Sequence, residues 1–553
     1  MSPIRTTLHP ALPLRQDRNN ATDLPALVWR RLGTAWHMLA CALLLSGLAA
    51  CVSLPSAPAS PLSQSLPAQP DSPLAQAALA SSPAADLSGF RLLPLGSYSL
   101  DARLQLIQRA RHSLDVQYYV FDNDATGRML LAQLAHAAAR GVRVRLLVDD
   151  LYTSRSDVLL RAMTALPNVQ VRLFNPFCCA REAGLAGRFT ASLFDLVRLN
   201  HRMHNKLLLA DGAIAVAGGR NIADDYFQRG TQQNFVDLDT LIVGQVVGPL
   251  AAVFDDYWNS PVVMPIEQVS PSADSALQLQ QRFARLTADA ASTLPSLDPA
   301  EVDLLGYGPI GEDLDRGRLG LIWGQALAIA DPPDKLKRGW DKAYADSLAY
   351  QALMKIWTAD SEVTITSPYL IPGKLGIKAF EALRTKGVKV TVLTNSLAAT
   401  DEPLVHTGYA RYRPRLVDAG VELYELSPTL TQSGKRLGLF GSSVGRLHAK
   451  TAVVDGDKVF IGSMNLDPRS RTQNTELGIF VQSAQLAKEV QRVVRISHQQ
   501  NAYRVQRGPE GGLQWLITDD DHHEQIFNEE PESSLWMHLH NWFFGLLVPE
   551  QLL

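Results

Sequence analysis

A single motif, His-x-Lys-x4-Asp, occurs twice in this chain and constrains its fold more than any other feature. The two copies begin at His204 and His448, 244 residues apart, and a glycine and an asparagine follow each copy at the same spacing. The shared positions are His204, Lys206, Asp211, Gly218 and Asn221 in the first copy and His448, Lys450, Asp455, Gly462 and Asn465 in the second. Matched flanks at a near-constant offset indicate an internal duplication, so we expect two related lobes.

The segments before the two motifs repeat the same order of secondary structure. Strand-like runs at 114–121 and 141–148 are separated by a helical pattern, and the runs at 362–366 and 387–393 repeat this arrangement. Alternating strands and helices predict an α/β protein of two tandem lobes, each a mixed, mainly parallel sheet flanked by helices. We expect a pseudo-twofold relation between the lobes, with one active site between them.

The N-terminus carries the features of an export signal. Arg30 and Arg31 precede an apolar run at 38–50 that is too short to span a bilayer comfortably. The run ends in Leu48-Ala-Ala-Cys51, which resembles the lipobox of bacterial lipoproteins, where the cysteine is acylated. This resemblance implies a lipid anchor on the periplasmic side of a bacterial envelope, and Val52 favours the outer membrane. An uncleaved anchor or a plain signal is the alternative, and the long leading segment also fits a start codon further downstream.

The sequence divides into five predicted segments. They are a lipoprotein-type signal at 1–51, a flexible tether rich in Pro, Ser and Ala at 52–85, the first lobe at 86–265, an interlobe connection at 266–342 and the second lobe at 343–553. The composition is that of an ordinary globular protein, with 46% hydrophobic residues. Lys and Arg number 52 against 55 Asp and Glu, so the net charge of −3 argues against a basic nucleic-acid binder.

The duplicated motif, with a trailing Gly-Gly/Ser-x-Asn, resembles the phospholipase D superfamily over nearly the whole body of the chain. Within that superfamily the sequence is most similar to bacterial cardiolipin synthases of the C type. The stretches that carry this similarity are Gly218-Gly-Arg-Asn-Ile-Ala-Asp-Asp-Tyr-Phe227, Ala330-Asp-Pro-Pro-Asp-Lys335 and Ile461-Gly-Ser-Met-Asn-Leu-Asp-Pro-Arg-Ser470.

His and Lys are two residues apart in each motif, so on a strand both side chains point to one face. The resemblance implies one histidine as a nucleophile on phosphorus and the other as acid and base, with no metal ion and no cofactor. It favours His204 as the nucleophile and His448 as the acid, an order that the sequence itself does not fix. Lys206 and Lys450 would neutralise the phosphate oxygens. Further hydrogen bonds to these oxygens are expected from Asn221, Asn465 and Ser463.

A carboxylate is expected to hold each histidine in one tautomer. In the superfamily it lies downstream of the motif, which indicates Glu476 in the second lobe. In the first lobe the choice lies between Asp239 and Asp237; alignment through the following apolar strand favours Asp239. The resemblance places the remaining motif residues in structural roles, and these residues are Asp211, Asp455, Gly218 and Gly462. Tyr118 and Tyr369 follow equivalent strands and are candidates for substrate contact.

The resemblance implies a phosphatidyl transferase that makes cardiolipin from two phospholipids, phosphatidylglycerol and phosphatidylethanolamine. A phospholipase D that releases phosphatidic acid is the alternative, because the same residues serve both reactions. The expected partners are phospholipids and a membrane surface, with no nucleic acid; protein partners and oligomeric state stay open. Two segments are candidates for lipid contact, the apolar insert at 185–199 and the aromatic-rich C-terminus from 535 onward.

Overall fold

Two mixed β-sheets, one in each half of the chain, form the frame of the protein in its computed structural model. The structure describes residues 61–293, 297–298, 301–335, 345, 347–433, 444–518, 523–547 and 550. The predicted signal at 1–51, the acylation site Cys51 and residues 52–60 lie outside the described residues.

The strands are numbered here in chain order. The first half contains β1 (Ser88–Leu93), β2 (Ser113–Tyr118), β3 (Arg143–Asp149), β4 (Val169–Phe174), β5 (Arg202–Met203), β6 (Leu207–Ala210), β7 (Ile214–Gly218), β8 (Gln233–Val236), β9 (Asp239–Gly244) and β10 (Val263–Pro265), and β11 (Ile322–Ala330) follows between the lobes. The second half contains β12 (Glu362–Thr366), β13 (Lys389–Asn395), β14 (Glu422–Leu426), β15 (Val444–Leu447), β16 (Thr451–Val454), β17 (Lys458–Gly462), β18 (Asn474–Thr475), β19 (Leu477–Gln482), β20 (Ala502–Arg507), β21 (Leu513–Thr518) and β22 (Glu524–Phe527).

Strand order is the same in the two sheets. It runs β10-β4-β3-β2-β6-β7-β9-β1 in the first lobe and β20-β14-β13-β12-β16-β17-β19-β11 in the second, where β21 and β22 extend the edge beyond β20. The prediction of two tandem α/β lobes is confirmed. Strand β11 also joins the sheets, because residues 322–324 pair with β1 and residues 325–330 pair with β19.

The prediction that each sheet is mainly parallel is wrong. Parallel pairing is confined to β2-β3-β4 and β12-β13-β14, and the other pairs within each sheet are antiparallel. A tight hairpin at each motif, which only antiparallel strands can use, accounts for the β6-β7 and β16-β17 pairs. Asp211 and Gly212 in the first hairpin, and Asp455 and Gly456 in the second, have positive φ values, which Asp and Gly tolerate.

Side chains alternate between two cores along the motif strands. On β6, Leu208 and Ala210 belong to the core under the first-lobe helices, whereas Leu207 and Leu209 belong to a core that the two lobes share. On β16, Val453 faces that shared core, with its neighbours turned to the second-lobe core. The period-2 pattern therefore gives each sheet one face toward its own helices and one toward the opposite lobe.

Helices flank both sheets, and two of them, Val247–Trp258 and Ala484–Asn501, pack in the core that the two lobes share. The helices are Pro73–Ser81, Gly96–Arg109, Ala125–Ala139, Asp157–Met163, Gly184–Ala191, Leu196–Leu199, Val247–Trp258, Ile266–Val269, Ala276–Leu286, Ile310–Arg316, Leu348–Trp357, Gly373–Thr385, Pro403–Asp418, Pro428–Ser433, Pro468–Thr472, Ala484–Asn501 and Leu535–Leu547. Within the part of the chain that the structure describes, no helix is both long and apolar enough to cross a bilayer.

The predicted flexible tether at 52–85 is wrong for residues 63–81, which pack on the first lobe. Ser65 donates hydrogen bonds to the Asp255 carboxylate from its backbone at 2.8 Å and from its hydroxyl at 3.0 Å. The helix Pro73–Ser81 buries Leu74, and the hydroxyl of its N-cap Ser72 donates to Asp211 at 2.6 Å. The proline-rich composition does not make this segment flexible, because the hydrogen bonds of Ser65 and Ser72 and the burial of Leu74 attach it to the first lobe.

Candidate active site

Two short parallel ladders between the lobes position the two motif histidines. Strand β5 pairs with β18, and β8 pairs with β15, so each ladder contains one strand from each lobe. The backbone N–H of His204 donates to the carbonyl of Thr475, and that of His448 donates to the carbonyl of Val236, both at 2.8 Å. Each histidine therefore lies directly beside the residue that follows a strand of the opposite lobe.

That neighbouring residue is a carboxylate in both cases. His204 Nδ1 lies 2.8 Å from Glu476 Oε2, and His448 Nδ1 lies 2.6 Å from Asp237 Oδ2. Because a carboxylate only accepts, Nδ1 carries the proton, and Nε2 remains for chemistry. The carboxylate of each lobe thus orients the histidine of the other lobe, a crossing that the sequence left open.

The choice of Asp239 over Asp237 as the first-lobe carboxylate is wrong. Asp239 instead forms a buried ion pair with Arg103 at 2.9 Å and accepts the Ser99 hydroxyl at 2.7 Å. The ladder register gives the correct alignment, since Gly218 pairs with Asp239. In the second lobe the equivalent glycine pairs with the residue two after Glu476.

A signal for Asp237 was present in the sequence. Asp237-Leu238 and Glu476-Leu477 are equivalent acidic-Leu pairs, although the preceding loops differ in length by five residues. Aligning these pairs rather than the apolar strands that follow them would have identified Asp237.

The residues next to the carboxylates differ between the lobes. A Cβ added to Gly219 would lie 2.1 Å from Asp237 Oδ1, so no larger residue fits there without movement. In the second lobe Ser463 occupies the equivalent position, and its hydroxyl donates to Glu476. Ser470 donates to the second oxygen of Glu476 at 2.7 Å. The first lobe combines Asp with Gly, and the second combines the longer Glu with Ser.

Both motif lysines are buried beside their histidines. Lys206 Nζ donates to the carbonyl of His204 at 2.6 Å, and Lys450 Nζ donates to the carbonyl of His448. Burial lowers the pKa of Lys450 to about 8 and that of Lys206 well below its usual range, against the opposing charges of Glu476 and Asp237. Ammonium groups held this way gain from an anionic ligand, because a phosphate replaces part of their lost hydration.

The two histidines and the two motif asparagines line one cavity of about 720 Å³. Other side chains that line the cavity are Tyr119, Tyr152, Phe189, Leu196, Val197, Tyr226, Tyr369, Asp401, Glu402, Asp467, Arg469 and Asn474. The volume is in the range of small-ligand sites, and its walls are partly aromatic. Asn221 Nδ2 donates to the Tyr226 hydroxyl at 3.0 Å, whereas Asn465 Oδ1 has no partner among the described residues.

Tyrosines beside the histidines were identified only in part from the sequence. Tyr369 lines the cavity, but Tyr118 is buried against Arg103 and its successor Tyr119 lines the cavity instead. Tyr119 lies edge-on to His204, with ring centroids 5.0 Å apart, and Tyr226 lies edge-on to His448 at 5.1 Å. Strand β2 ends at Tyr118, so the next residue is the first one free to turn into the cavity.

The electrostatic surroundings of the two histidines are unequal. Burial lowers the pKa of His204 to about 4, with Glu476 opposing this effect and Lys206 adding to it. Burial and the charge of Lys450 also lower the pKa of His448, but two carboxylates, Asp237 and Asp401, oppose this effect. His204 is therefore neutral at pH 7, with a free lone pair on Nε2.

The carboxylate partners remain ionised despite their burial. Burial alone would raise the pKa of Asp237, yet the charge and hydrogen bond of His448, together with Lys450, lower it to about 2. Burial likewise acts to raise the pKa of Glu476, but the charges of His204 and Lys206 lower it. Both carboxylates can therefore stabilise an imidazolium when one forms.

The motif aspartates lie at the hairpins, away from the cavity. Asp211 accepts hydrogen bonds from the backbone N–H groups of Arg111, His112 and Ser113. Asp455 accepts the backbone N–H groups of residues 360 and 361 in the same way. Gly218 and Gly462 allow close strand approach, because an added Cβ would lie 2.3 Å from the Asp239 side chain and 2.5 Å from a backbone carbonyl, respectively.

Known proteins are similar to this chain over most of its length. The family described as "Cardiolipin synthase, PLD-like domain" matches residues 104–258 and 353–495. Cardiolipin synthase C of Escherichia coli (strain K12) is 40% identical over 471 residues, which cover 84% of this chain and 96% of that protein. A cardiolipin synthase of Staphylococcus aureus (strain N315) is 26% identical and covers 72% of this chain and 64% of its own length.

Among solved structures, the phosphatidylserine synthase of Haemophilus influenzae Rd KW20 shares the fold. It superposes with a TM-score of 0.51 at 12% identity, over 88% of this chain and 97% of that one. Fold, duplicated motif and sequence identity agree. The chain belongs to the cardiolipin synthase family of the phospholipase D superfamily.

Proposed function

We propose that this protein is a phosphatidyl transferase that makes cardiolipin from phosphatidylglycerol and phosphatidylethanolamine through a covalent phosphohistidine. One observation carries the proposal: two histidines line one cavity, and each is bonded at Nδ1 to a carboxylate of the opposite lobe. This arrangement supplies one nucleophile and one acid on a single phosphodiester.

In the first step Nε2 of His204 attacks phosphorus, forming a P–N bond as the P–O bond to the headgroup alcohol breaks. His448, protonated at Nε2, gives its proton to the leaving oxygen. The charges support this order, because two carboxylates, Asp237 and Asp401, raise the pKa of His448 against burial, whereas Glu476 does so for His204. Lys206 and Lys450 neutralise the non-bridging oxygens during the step.

In the second step the hydroxyl of phosphatidylglycerol attacks the phosphohistidine. His448 takes the hydroxyl proton, the new P–O bond forms and the P–N bond breaks, which restores His204 as a neutral base. Water in place of the alcohol would give phosphatidic acid. The aromatic and apolar walls around the histidines support the alcohol as acceptor, because they limit water near the intermediate.

We also propose that the protein is anchored by a lipid on Cys51 at the periplasmic side of the envelope, with the outer membrane favoured by Val52. Exposed apolar side chains near the cavity and at the C-terminus support contact with a membrane surface. They are Leu193, Leu196 and Val197 in the insert and Leu535, Trp536, Leu539 and Phe543 in the last helix. Cys51→Ala should move the protein out of the membrane fraction and abolish labelling by a fatty-acid precursor.

The enzymatic proposal is tested with the full chain in mixed micelles of the two phospholipids, with chelator present. Mass spectrometry of the products should give cardiolipin and free ethanolamine, and His204→Ala and His448→Ala should abolish both. Phosphatidic acid as the main product would replace the transferase with a hydrolase. Product formation that survives both substitutions would refute the assigned site.

A further inference from the structure

Two carboxylates of the second lobe, Asp401 and Glu402, line the cavity, where Arg469 also lies. Asp401 and Glu402 lie in the loop after β13, and both line the cavity with His448. Within the described ranges neither forms an ion pair, although Asp401 Oδ2 accepts the Tyr369 hydroxyl at 2.9 Å. Asp401 Oδ1 is buried and has no hydrogen-bond partner there. An unsatisfied buried carboxylate oxygen is costly unless a ligand supplies the missing donor.

The first lobe places its carboxylates differently after the corresponding strand. Asp149 and Asp150 lie at the end of β3, where the second lobe has Asn395 and Ser396 at the end of β13. Arg202 lies 3.2 Å from Asp149, and Arg181 lies 2.7 Å from Asp150. Within the described residues, the carboxylates that end β3 are thus paired with arginines, whereas Asp401 and Glu402, further along the loop after β13, form no ion pair.

An independent observation involves the motif asparagines. Asn221 Oδ1 accepts the backbone N–H of Val120 at 3.2 Å, but the equivalent oxygen of Asn465 has no partner among the described residues. The Asn465 side chain is 95% buried, since only 5% of its surface is exposed, and it lines the cavity. The bridge between Leu370 and Leu466 brings Asn465 beside Tyr369, whose hydroxyl contacts Asp401.

We propose that Asp401, Glu402 and Asn465 bind the primary ammonium of the donor phospholipid, an assignment that rests on the proposed function. An ammonium group carries three N–H donors and a positive charge, which match two buried acceptor oxygens and the carboxylates around them. A quaternary ammonium has no N–H to donate to these oxygens. The site therefore selects a headgroup with a primary amine.

The position of this site agrees with the direction of the reaction. The amine belongs to the alcohol that leaves phosphorus, and the site shares the cavity wall with His448, the proposed proton donor. Binding the amine there places the leaving oxygen on the His448 side and the phosphorus toward His204. Residues of the second lobe therefore both recognise the headgroup and transfer the proton.

The test measures which headgroup the full-length protein releases from equimolar phosphatidylethanolamine and phosphatidylglycerol. We expect Asp401→Asn to lower the ratio of ethanolamine to glycerol released by about 10- to 100-fold, the loss typical of a charge-assisted hydrogen bond. Glu402→Gln should lower it less, because Glu402 lies exposed at the mouth of the cavity. Asp360→Asn, which removes a charge from a side chain 80% exposed to solvent, is the matched control and should leave the ratio unchanged.

N-methylated donors sharpen the result with the unaltered protein. Release should fall stepwise from the primary amine to the trimethylated headgroup as N–H donors are lost. An unchanged ratio in Asp401→Asn, or equal use of the trimethylated donor, overturns the ammonium site. Cardiolipin formation with release of glycerol alone overturns it too and leaves the transferase standing.

A binding measurement separates this inference from catalysis. Equilibrium dialysis of the full-length His204→Ala protein with glycerophosphoethanolamine should show about tenfold weaker binding when Asp401→Asn is added, whereas binding of glycerophosphoglycerol should change less than twofold. If the unaltered protein makes no cardiolipin, such discrimination would reject the proposed function and keep the amine site. Equal loss for both probes would show that Asp401 acts on the structure of the cavity, and would reject the amine site.

Discussion

The two lobes share one backbone plan and differ in the side chains that surround their histidines. Strand order, hairpin position and the ladder to the opposite lobe are the same in both. The first lobe contributes Gly219 and Asp237 to the site, and the second contributes Ser463 and Glu476 at the equivalent positions. The shared backbone fixes where the two imidazoles lie, and the different neighbouring side chains determine the pKa of each imidazole.

The different surroundings of His204 and His448 are sufficient to give the two histidines different roles in the reaction. His204 faces one carboxylate, and burial lowers its pKa to about 4, so it is a free base at neutral pH. Burial and Lys450 lower the pKa of His448, but two carboxylates, Asp237 and Asp401, oppose them and stabilise its protonated form. The duplication thus yields a nucleophile and an acid from the same motif.

Removal of either imidazole should have the largest effect on the transfer rate. We expect both His204→Ala and His448→Ala to lower the transfer rate by about 10⁴-fold, since each step needs both groups. The variants should differ with a substrate whose leaving group needs no proton. His448→Ala should then still accumulate the phosphohistidine, whereas His204→Ala should not, as intact-protein mass spectrometry after rapid quenching would show. Accumulation only in His204→Ala would reverse the two roles.

The crossed carboxylates are the next test. Asp237→Asn and Glu476→Gln should each lower the rate by about 10² to 10⁴-fold, because the amide no longer stabilises the imidazolium of the opposite lobe. Asp239→Asn is the matched control, since its carboxylate pairs with Arg103 and not with a histidine. It should lower Tm and leave the pH profile of transfer unaltered. A shifted pH profile in that control would count against Asp237 as the partner of His448.

Much of this architecture was predictable from the motif repeat. Two lobes and a shared site followed from the spacing of the repeat alone. The strand periodicity expected for His and Lys does not apply, because residues 204–206 and 448–450 lie between strands. Glu476 was found because it directly precedes an apolar strand. Its counterpart Asp237 was not chosen because Asp239 also lies next to the apolar residues of the equivalent strand. Asp239 forms an ion pair with Arg103 instead.

Long-range pairing explains the other failures. The crossing of carboxylates between lobes depends on the β5–β18 and β8–β15 ladders, whose strands are more than 200 residues apart. No local pattern encodes such contacts. Likewise, the helical crossovers predicted parallel strands correctly at β2-β3-β4, but the strands after them pair through hairpins.

Exchanging the small residues beside the carboxylates should have a moderate and unequal effect. Ser463→Gly removes one donor to Glu476, and we expect a loss of about tenfold in rate. Gly219→Ser should cost more, because the new side chain meets Asp237 and displaces it from His448. Steady-state rates and Tm for both variants, with Gly248→Ser as a control where an added Cβ meets no atom within 4 Å, measure the difference. Equal losses would mean that the lobes tolerate the exchange alike.

The smallest expected effect is the response of stability to acid. The pKa of His204 is about 4 in the folded protein and about 6.5 in the unfolded chain, so the unfolded chain binds more protons between these values. The free energy of unfolding therefore falls as pH drops from 7 to 5, by on the order of 2 kcal/mol from this group. His204→Gln should flatten the decline of Tm over that window by a few degrees, as calorimetry would record. His448→Gln should flatten it less, because Asp237 and Asp401 oppose the lowering of the His448 pKa. Equal slopes in the two variants would show that the charges around the histidines are balanced and that the division of roles has another origin.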